Sequence, residues 1–263
     1  MVRKSRRSIA TSLQIMKKTV IETDKLTKKF GDFIAADQIT FEVEAGEIFG
    51  FLGANGAGKT TAMRMLTGLS VPTSGRGTVA GFDVYKQTEQ IKQNIGYMSQ
   101  KFSLYEDLTV QENIELFGGI YGLRKPILKE KANALLQNLQ LEAEKNQLVA
   151  SLPLGWKQKL SFSIAILHEP QVVFLDEPTG GVDPITRRQF WDLIYQASAK
   201  GITAFVTTHY MDEAEYCNRV SIMVDGKIEA LDTPSNLKAM YHAKSMDEVF
   251  QNLARKAVRK ADQ

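Results

Sequence analysis

The chain has 263 residues, 43% of them apolar, and a formal net charge of +3. That is ample for a sizeable core and leaves no global charge that would call for a polyanion partner. No run of about 18 apolar residues exists to span a bilayer, the N-terminus lacks the apolar block of a secretion signal, and the single cysteine, Cys217, excludes an intrachain disulfide and suits a reducing compartment.

Arg3, Lys4, Arg6, Arg7, Lys17 and Lys18 precede the first acid, Glu22. This basic extension, residues 1–19, reads as a solvated tail, with contact to anionic lipid or nucleic acid as the alternative. Residues 20–23 and 39–43 read as strands, with a turn at 28–31 between them. Ala45-Gly46 turns the chain into the apolar run 48–52, which reads as a buried strand. There follows Gly53-Ala54-Asn55-Gly56-Ala57-Gly58-Lys59-Thr60-Thr61, and then a helical stretch at 62–66. Strand, glycine-rich loop and helix in that order form a phosphate cradle, the P-loop. Glycines let the backbone curl without a Cβ clash. Backbone amides and the helix N-terminus attract an anion. Gly53, Asn55, Gly56, Ala57 and Gly58 then wrap the phosphates. Lys59 reaches the β- and γ-phosphates, the Thr60 hydroxyl ligates Mg²⁺, and Thr61 backs the α-phosphate.

Residues 75–81 read as a glycine-spaced β segment, 88–94 as a short helix, and 95–99 as a buried strand ending at Gln100. The pattern then turns helical. Residues 109–121 carry Val110, Ile114, Phe117 and Ile120 on one stripe, 127–139 form a second helix, and 153–168 a third with Pro153 in its first turn. This stretch, about 101–169, reads as a helical subdomain inserted between two strands. Apolar runs at 172–175, 202–207 and 220–224 read as parallel strands, with helices at 185–198 and about 210–215 between them. Such alternation predicts an α/β sheet. Asp225-Gly226 marks a hairpin turn. Residues 247–261 predict a helix with Val249, Phe250, Leu253, Ala257 and Val258 as its apolar positions.

Asp176 and Glu177 stand where the strand 172–175 ends. A carboxylate there suits Mg²⁺ through its water shell, the role expected of Asp176. Glu177 is then positioned to orient or deprotonate an attacking water. His209 follows the strand that ends in Thr207-Thr208, where an imidazole can donate to a γ-phosphate oxygen. His168, at a helix end beside Glu169-Pro170, reads as structural.

In this order the motifs resemble the ATP-binding subunit of an ATP-binding cassette (ABC) transporter, from about Val20 to Leu253. The resemblance implies a P-loop NTPase with a RecA-like α/β core, an antiparallel β subdomain and the inserted α-helical subdomain. Residues 20–245 would be the ATPase domain and 246–263 a C-terminal helix. It implies that Phe30 stacks on adenine, that 53–61 is Walker A, and that Gln100 touches Mg²⁺ and faces a membrane partner. Asp176 and Glu177 become the Walker B and catalytic acids, Gly180-Gly181-Val182-Asp183 the D-loop, and His209 the switch histidine. ATP and Mg²⁺ are the ligands so implied. The expected partners are a second ABC ATPase subunit and an integral membrane transporter subunit, docked near Gln100 and 104–121 at the cytoplasmic membrane face; no nucleic acid is expected. Lys101-Phe102-Ser103-Leu104-Tyr105, residues 208–215 and residues 245–250 resemble bacterial exporters of the drug-efflux kind.

One loop departs from the family pattern. Leu152-Pro153-Leu154-Gly155 stands where the family reads Leu-Ser-Gly-Gly, whose serine and glycine contact the γ-phosphate held by the opposite subunit. Pro153 has neither hydroxyl nor N–H, and Leu154 adds bulk where backbone approaches closely. Gly155 and the helix N-terminus remain. The loop then makes either a weakened trans contact or a working geometry of its own. Two other functions stay open: a regulator that binds nucleotide with little hydrolysis, and a soluble ABC-type protein acting on ribosomes or DNA. The latter kind usually carries two cassettes or a long coiled-coil insertion, and neither is found here.

Overall fold

The computed structural model describes residues 18–100 and 104–261, with side chains to 255. Most of the basic extension, the segment Lys101-Phe102-Ser103 and the side chains of Ala257 and Val258 lie outside the described residues.

Strands β1 (Thr19–Phe30) and β2 (Phe33–Glu44) form a long antiparallel hairpin. Its turn is at Gly31-Asp32 rather than over 28–31. Lys28, Lys29 and Phe30 pair with Ala36, Ile34 and Phe33, so pairing runs to the tip, and Gly31 at φ +59° closes it. Strand β3 (Ile48–Gly53) is buried throughout and leads through the glycine loop into α1 (Lys59–Leu66). Strands β4 (Ser74–Val79) and β5 (Phe82–Asp83) return to the first sheet, whose order is β2-β1-β4-β5. Helix α2 (Thr88–Asn94) and strand β6 (Ile95–Met98) follow.

Between β6 and the next strand lie α3 (Val110–Ile120), α4 (Lys125–Leu139) and α5 (Leu154–Ala165). They share a core of their own that includes Val110, Ile114, Leu128, Leu136 and Leu160. Thr109 and Glu112 close a capping box at the start of α3. Ile120 does not continue the expected stripe; it is 66% exposed, at the last turn of α3 where the helix has left the core. Pro153 precedes α5 as its N-cap, because its ψ of 148° is extended rather than helical.

The chain then alternates strand and helix: β7 (Val172–Asp176), α6 (Pro184–Ala199), β8 (Thr203–Thr208) and β9 (Arg219–Val224). Between β8 and β9 the expected helix is a 3-10 helix, Met211–Tyr216; the chain must reach Asn218, whose side chain receives the Ile48 amide at 2.8 Å. Asp225 and Gly226, both at positive φ, turn β9 into β10 (Lys227–Asp232). That strand was not anticipated, because its residues are nearly all half-exposed and show no clean alternation. Helices α7 (Pro234–Met240), also unanticipated, and α8 (Met246–Ala261) complete the fold. The second sheet runs β10-β9-β3-β8-β7-β6, parallel except at β10. Among the described residues no helix is long and apolar enough to cross a membrane.

Alternation along the parallel strands divides two cores. Phe49, Phe51, Val172, Phe174 and Phe205 face the first sheet. Leu52, Val173, Leu175 and Val206 face α5 and α6, where Phe162, Phe190 and Trp191 pack, and buried Cys217 joins this side. Phe41 of β2 stacks on Phe49 at 5.5 Å, and Phe205 lies 5.2–5.7 Å from Phe49, Phe51 and Phe174. These rings hold the antiparallel sheet against the parallel one. Phe205→Ala removes the central ring and is expected to cost about 3–5 kcal/mol in urea unfolding followed by circular dichroism. Ile120→Ala, on the exposed end of α3, should stay within about 0.5 kcal/mol of the parent.

Candidate functional site

Strands β3, β8, β7 and β6 are neighbours and run the same way, so their C-terminal ends share one edge. Register aligns Leu52 with Thr208, Thr207 with Asp176, and Leu175 with Met98. The loop after each strand therefore opens onto the same crevice, where open α/β sheets bind ligands. Residues 53–61, His209, Glu177 and Gln100 arrive there from four separate parts of the chain.

The glycine loop is seated too tightly for side chains. A Cβ on Gly58 (φ +105°) would lie 2.2 Å from the Ala35 carbonyl oxygen, and one on Gly53 would lie 2.5 Å from that of Met223. The Gly226 amide also donates to the Ala57 carbonyl at 3.0 Å. Gly58 caps α1 without a side-chain bond, so the first amides of that helix stay open to an anion. Lys59 is buried, and its ammonium donates to the carbonyls of Gly53 (2.7 Å) and Ala54 (3.1 Å). Burial pulls its pKa below that of an ordinary lysine, against the pull of Glu177 and Asp176.

Opposite it stand the two acids. Asp176 is buried at the end of β7 and accepts the Thr207 hydroxyl at 2.6 Å. Burial pushes its carboxyl above the usual range, and the Thr207 bond partly offsets that. Glu177 sits at φ +48°, a left-handed conformation that is strained for this residue type, and its amide donates to the Thr207 carbonyl at 3.0 Å. Its Oε1 lies 3.7 Å from Lys59 Nζ, and its Oε2 accepts Gln100 Nε2 at 2.8 Å. His209 Nδ1 is 3.0 Å from the same Oε2 but off the line of a hydrogen bond. Thr207 escaped the sequence reading; its signal was a hydroxyl inside an otherwise buried strand.

A cavity of about 330 Å³ lies beside these groups, with Asp176 and His209 set back from its lining. Asn55, Gly56, Gly58, Lys59, Thr60 and Thr61 form one wall, Gln100 and Glu177 another, and Phe33 with Ala35 a third. Phe30 is not on that wall; it is exposed, with Lys28 Nζ 5.1 Å above its ring. Phe33 stands across the hairpin turn from it and was missed, although an aromatic three residues on in the same hairpin was its available signal. A triphosphate fits the glycine cradle and its open amides. Magnesium fits the donors nearby, which are hard oxygens of Thr60, Gln100 and Asp176. Among the described residues no cluster of three or more His, Cys, Asp or Glu forms a metal site.

Gly155 and Asp183 do not join this cavity. They border a separate one of about 350 Å³ at the start of α5, with Pro153 and Leu154. A Cβ on Gly155 would lie 2.5 Å from Thr186, so α5 rests directly on α6. The Asp183 carboxylate accepts the amides of Ile185 and Thr186 at 3.0 Å and the Thr186 hydroxyl at 2.5 Å, which caps α6. The Thr186 bonds hold that carboxyl below its usual range. Leu154 is 46% exposed beside it. His168 is structural as read: its ring stacks on Tyr121 at 3.9 Å, with Nε2 3.2 Å from the Ile95 carbonyl.

The cradle yields a direct expectation. Gly58→Ala forces a methyl onto a carbonyl oxygen in a left-handed backbone, and binding of a fluorescent nucleoside triphosphate should weaken by about 100-fold or more. Gly31→Ala, where nothing lies within 4 Å, should leave binding unchanged and cost only about 1 kcal/mol of stability.

A model of the ABC transporter family matches residues 36–180. YbhF of Escherichia coli (strain K12), a probable multidrug ABC transporter ATP-binding protein, is 51% identical over 221 residues. That alignment covers 84% of this chain but 38% of the relative, so the chain spans well under half of that protein. The Nod factor export ATP-binding protein I of Rhizobium sp. (strain N33) is 36% identical over 236 residues, 89% of this chain and 78% of that one. Among solved structures, an ATP binding subunit of an ABC transporter is similar with a TM-score of 0.81 at 28% identity, covering 89% of this chain and 99% of the other. With the family model matching more than half its length, and this fold around this loop, the chain belongs to the ABC transporter family and has its P-loop ATPase fold.

Proposed function

We propose that this chain binds and hydrolyses ATP to power a membrane exporter of drugs or other hydrophobic or amphiphilic compounds. The convergence of Lys59, Gln100 and Glu177 on one cavity beside the glycine loop, with His209 against Glu177, carries the ATPase reading. The export reading rests on the multidrug relative in Escherichia coli and the Nod factor exporter in Rhizobium.

Amides of the glycine loop and the α1 N-terminus take the phosphates, and Lys59 balances charge at the β- and γ-oxygens. Its ammonium is buried and held by the Gly53 and Ala54 carbonyls, beside the loop that takes the phosphates. Asp176, Thr60 and Gln100 would hold Mg²⁺, which would supply positive charge to offset that of the phosphates. Glu177 orients or deprotonates the attacking water. Gln100 holds its carboxylate, and His209 donates to the γ-phosphate. Phe30 and Phe33 flank the hairpin tip and offer ring faces to adenine.

Gly155 and Asp183 lie off the cavity of their own chain, which supports a role in trans: two copies sandwich two nucleotides, each P-loop facing the partner's α5. Hydrolysis would reopen the pair. The membrane subunit would dock near Gln100 and α3, where Tyr105, Leu116 and Ile120 are exposed, so the chain would sit peripherally at the cytoplasmic face. A second reading, a nucleotide-binding regulator with slow hydrolysis, is favoured only by Pro153 and Leu154 in the signature loop.

Phosphate release separates these readings. Glu177→Gln keeps the hydrogen-bonding shape and loses the base, so turnover should fall about 100-fold or more while ATP-bound dimer accumulates in size-exclusion chromatography. Normal turnover in that variant would remove Glu177 from its role. Pro153→Ser with Leu154→Gly restores donors worth about 1.5–3 kcal/mol each and should hydrolyse faster. Equal or slower turnover with the fold intact would assign the loop a working geometry of its own.

A further inference from the structure

A carboxylate that the proposed chemistry leaves unused lies beneath the site. Glu213 is wholly buried in the 3-10 helix after β8. Its Oε1 accepts the Thr179 hydroxyl and lies 3.6 Å from Arg187 Nε, while its Oε2 has no hydrogen-bond partner. A buried, half-satisfied acid is costly, and shape alone does not account for it.

Its neighbours form a ring around the catalytic pair. Arg187, on the first turn of α6, lies 4.5 Å over the Tyr210 ring and 3.3 Å from Asp212 Oδ2. The Tyr210 ring is 4.1 Å from the His209 imidazole, and His209 Nδ1 is 3.0 Å from Glu177 Oε2. Thr179 comes two residues after Glu177, in a turn that the Gly180 amide closes onto the Glu177 carbonyl at 3.2 Å. One path from Glu177 to Glu213 therefore runs through Thr179, and the other through His209, Tyr210 and Arg187.

We propose that Arg187 and Glu213 are positioning residues that fix His209 against Glu177 by tying the segment after each of them to the start of α6. The contact between His209 and Glu177 is short but not aligned in this structure, so a small rotation of the imidazole decides whether it bonds the carboxylate or frees its N–H for phosphate. Arg187 bears on that rotation through the Tyr210 ring, and Glu213 holds Arg187 in place from below. This inference rests on the ATPase reading above, and its test separates the two.

The full chain is compared as parent, Arg187→Met, Arg187→Lys, His209→Ala and the His209→Ala, Arg187→Met double variant. Arg187→Met should lower kcat about tenfold while KM for ATP stays within about threefold, because the glycine loop and Lys59 are untouched. Arg187→Lys, which keeps the charge but not the flat stack, should fall between. In the His209→Ala background the same Arg187→Met change should cost less than about twofold, since the group it acts through is gone. A loss that multiplies equally in both backgrounds, or an unchanged kcat in Arg187→Met, would overturn the inference. Imidazole nitrogen spectra give a readout that needs no turnover. The chain has three histidines, and the signal absent from His209→Ala should move in Arg187→Met while that of His168 stays. If the parent hydrolyses no ATP, the ATPase reading falls, and the spectra alone decide: an unmoved His209 signal removes the positioning role as well.

Discussion

A buried ammonium needs anions, and the phosphate cavity is arranged around that need. Lys59 is almost wholly removed from water, held by two backbone carbonyls, with Glu177 facing it at 3.7 Å. Carbonyl dipoles and the nearby carboxylates of Glu177 and Asp176 only partly replace lost hydration. Burial accordingly drags Lys59 down and Asp176 up, each charge being less comfortable than it would be in water. A phosphate held by the glycine loop would relieve the cation, so burying Lys59 favours anion binding at some cost to the fold. Strain at Glu177, in a left-handed conformation, adds to that cost.

The scaffold that bears this cost is the parallel sheet. Four strands end at one edge in matched register, which brings Lys59 within 3.7 Å of Glu177 from a distant part of the chain. Apolar side chains on both faces leave no freedom to slip, because a shift of one residue would exchange the phenylalanine face for the aliphatic one. Thr207 is where scaffold and site meet. Its hydroxyl binds Asp176 and its carbonyl binds the Glu177 amide, so one residue of β8 sets both acids.

The second cavity follows a different logic. Asp183 gives its carboxylate to the start of α6, and Gly155 lets α5 rest on Thr186. These residues hold a surface in shape without contributing to the phosphate site of the same chain. That division agrees with a site completed by a second copy. It also makes the exposed Leu154 notable, since it puts an apolar group where such a surface would meet a phosphate.

By itself the sequence pointed to the glycine loop, to the strand and helix order around it, and to Lys59, Asp176, Glu177 and His209 as candidate site residues. Those were legible because local chemistry dictates them: glycines that only a tight curl requires, apolar runs that only burial explains, and acids where such a run stops. It did not reveal β10, whose half-exposed residues carry no alternation, nor α7. Residue type alone also could not tell which aromatic of the hairpin lines the cavity, because Phe30 and Phe33 differ only in where an antiparallel turn directs them. Arg187 and Glu213 are hidden for the same reason, and Thr207 shows in the sequence only as a hydroxyl in an apolar run. Their roles arise from contacts between segments distant in the chain, and such contacts exist only once the sheet has set the register and the helices have packed on it.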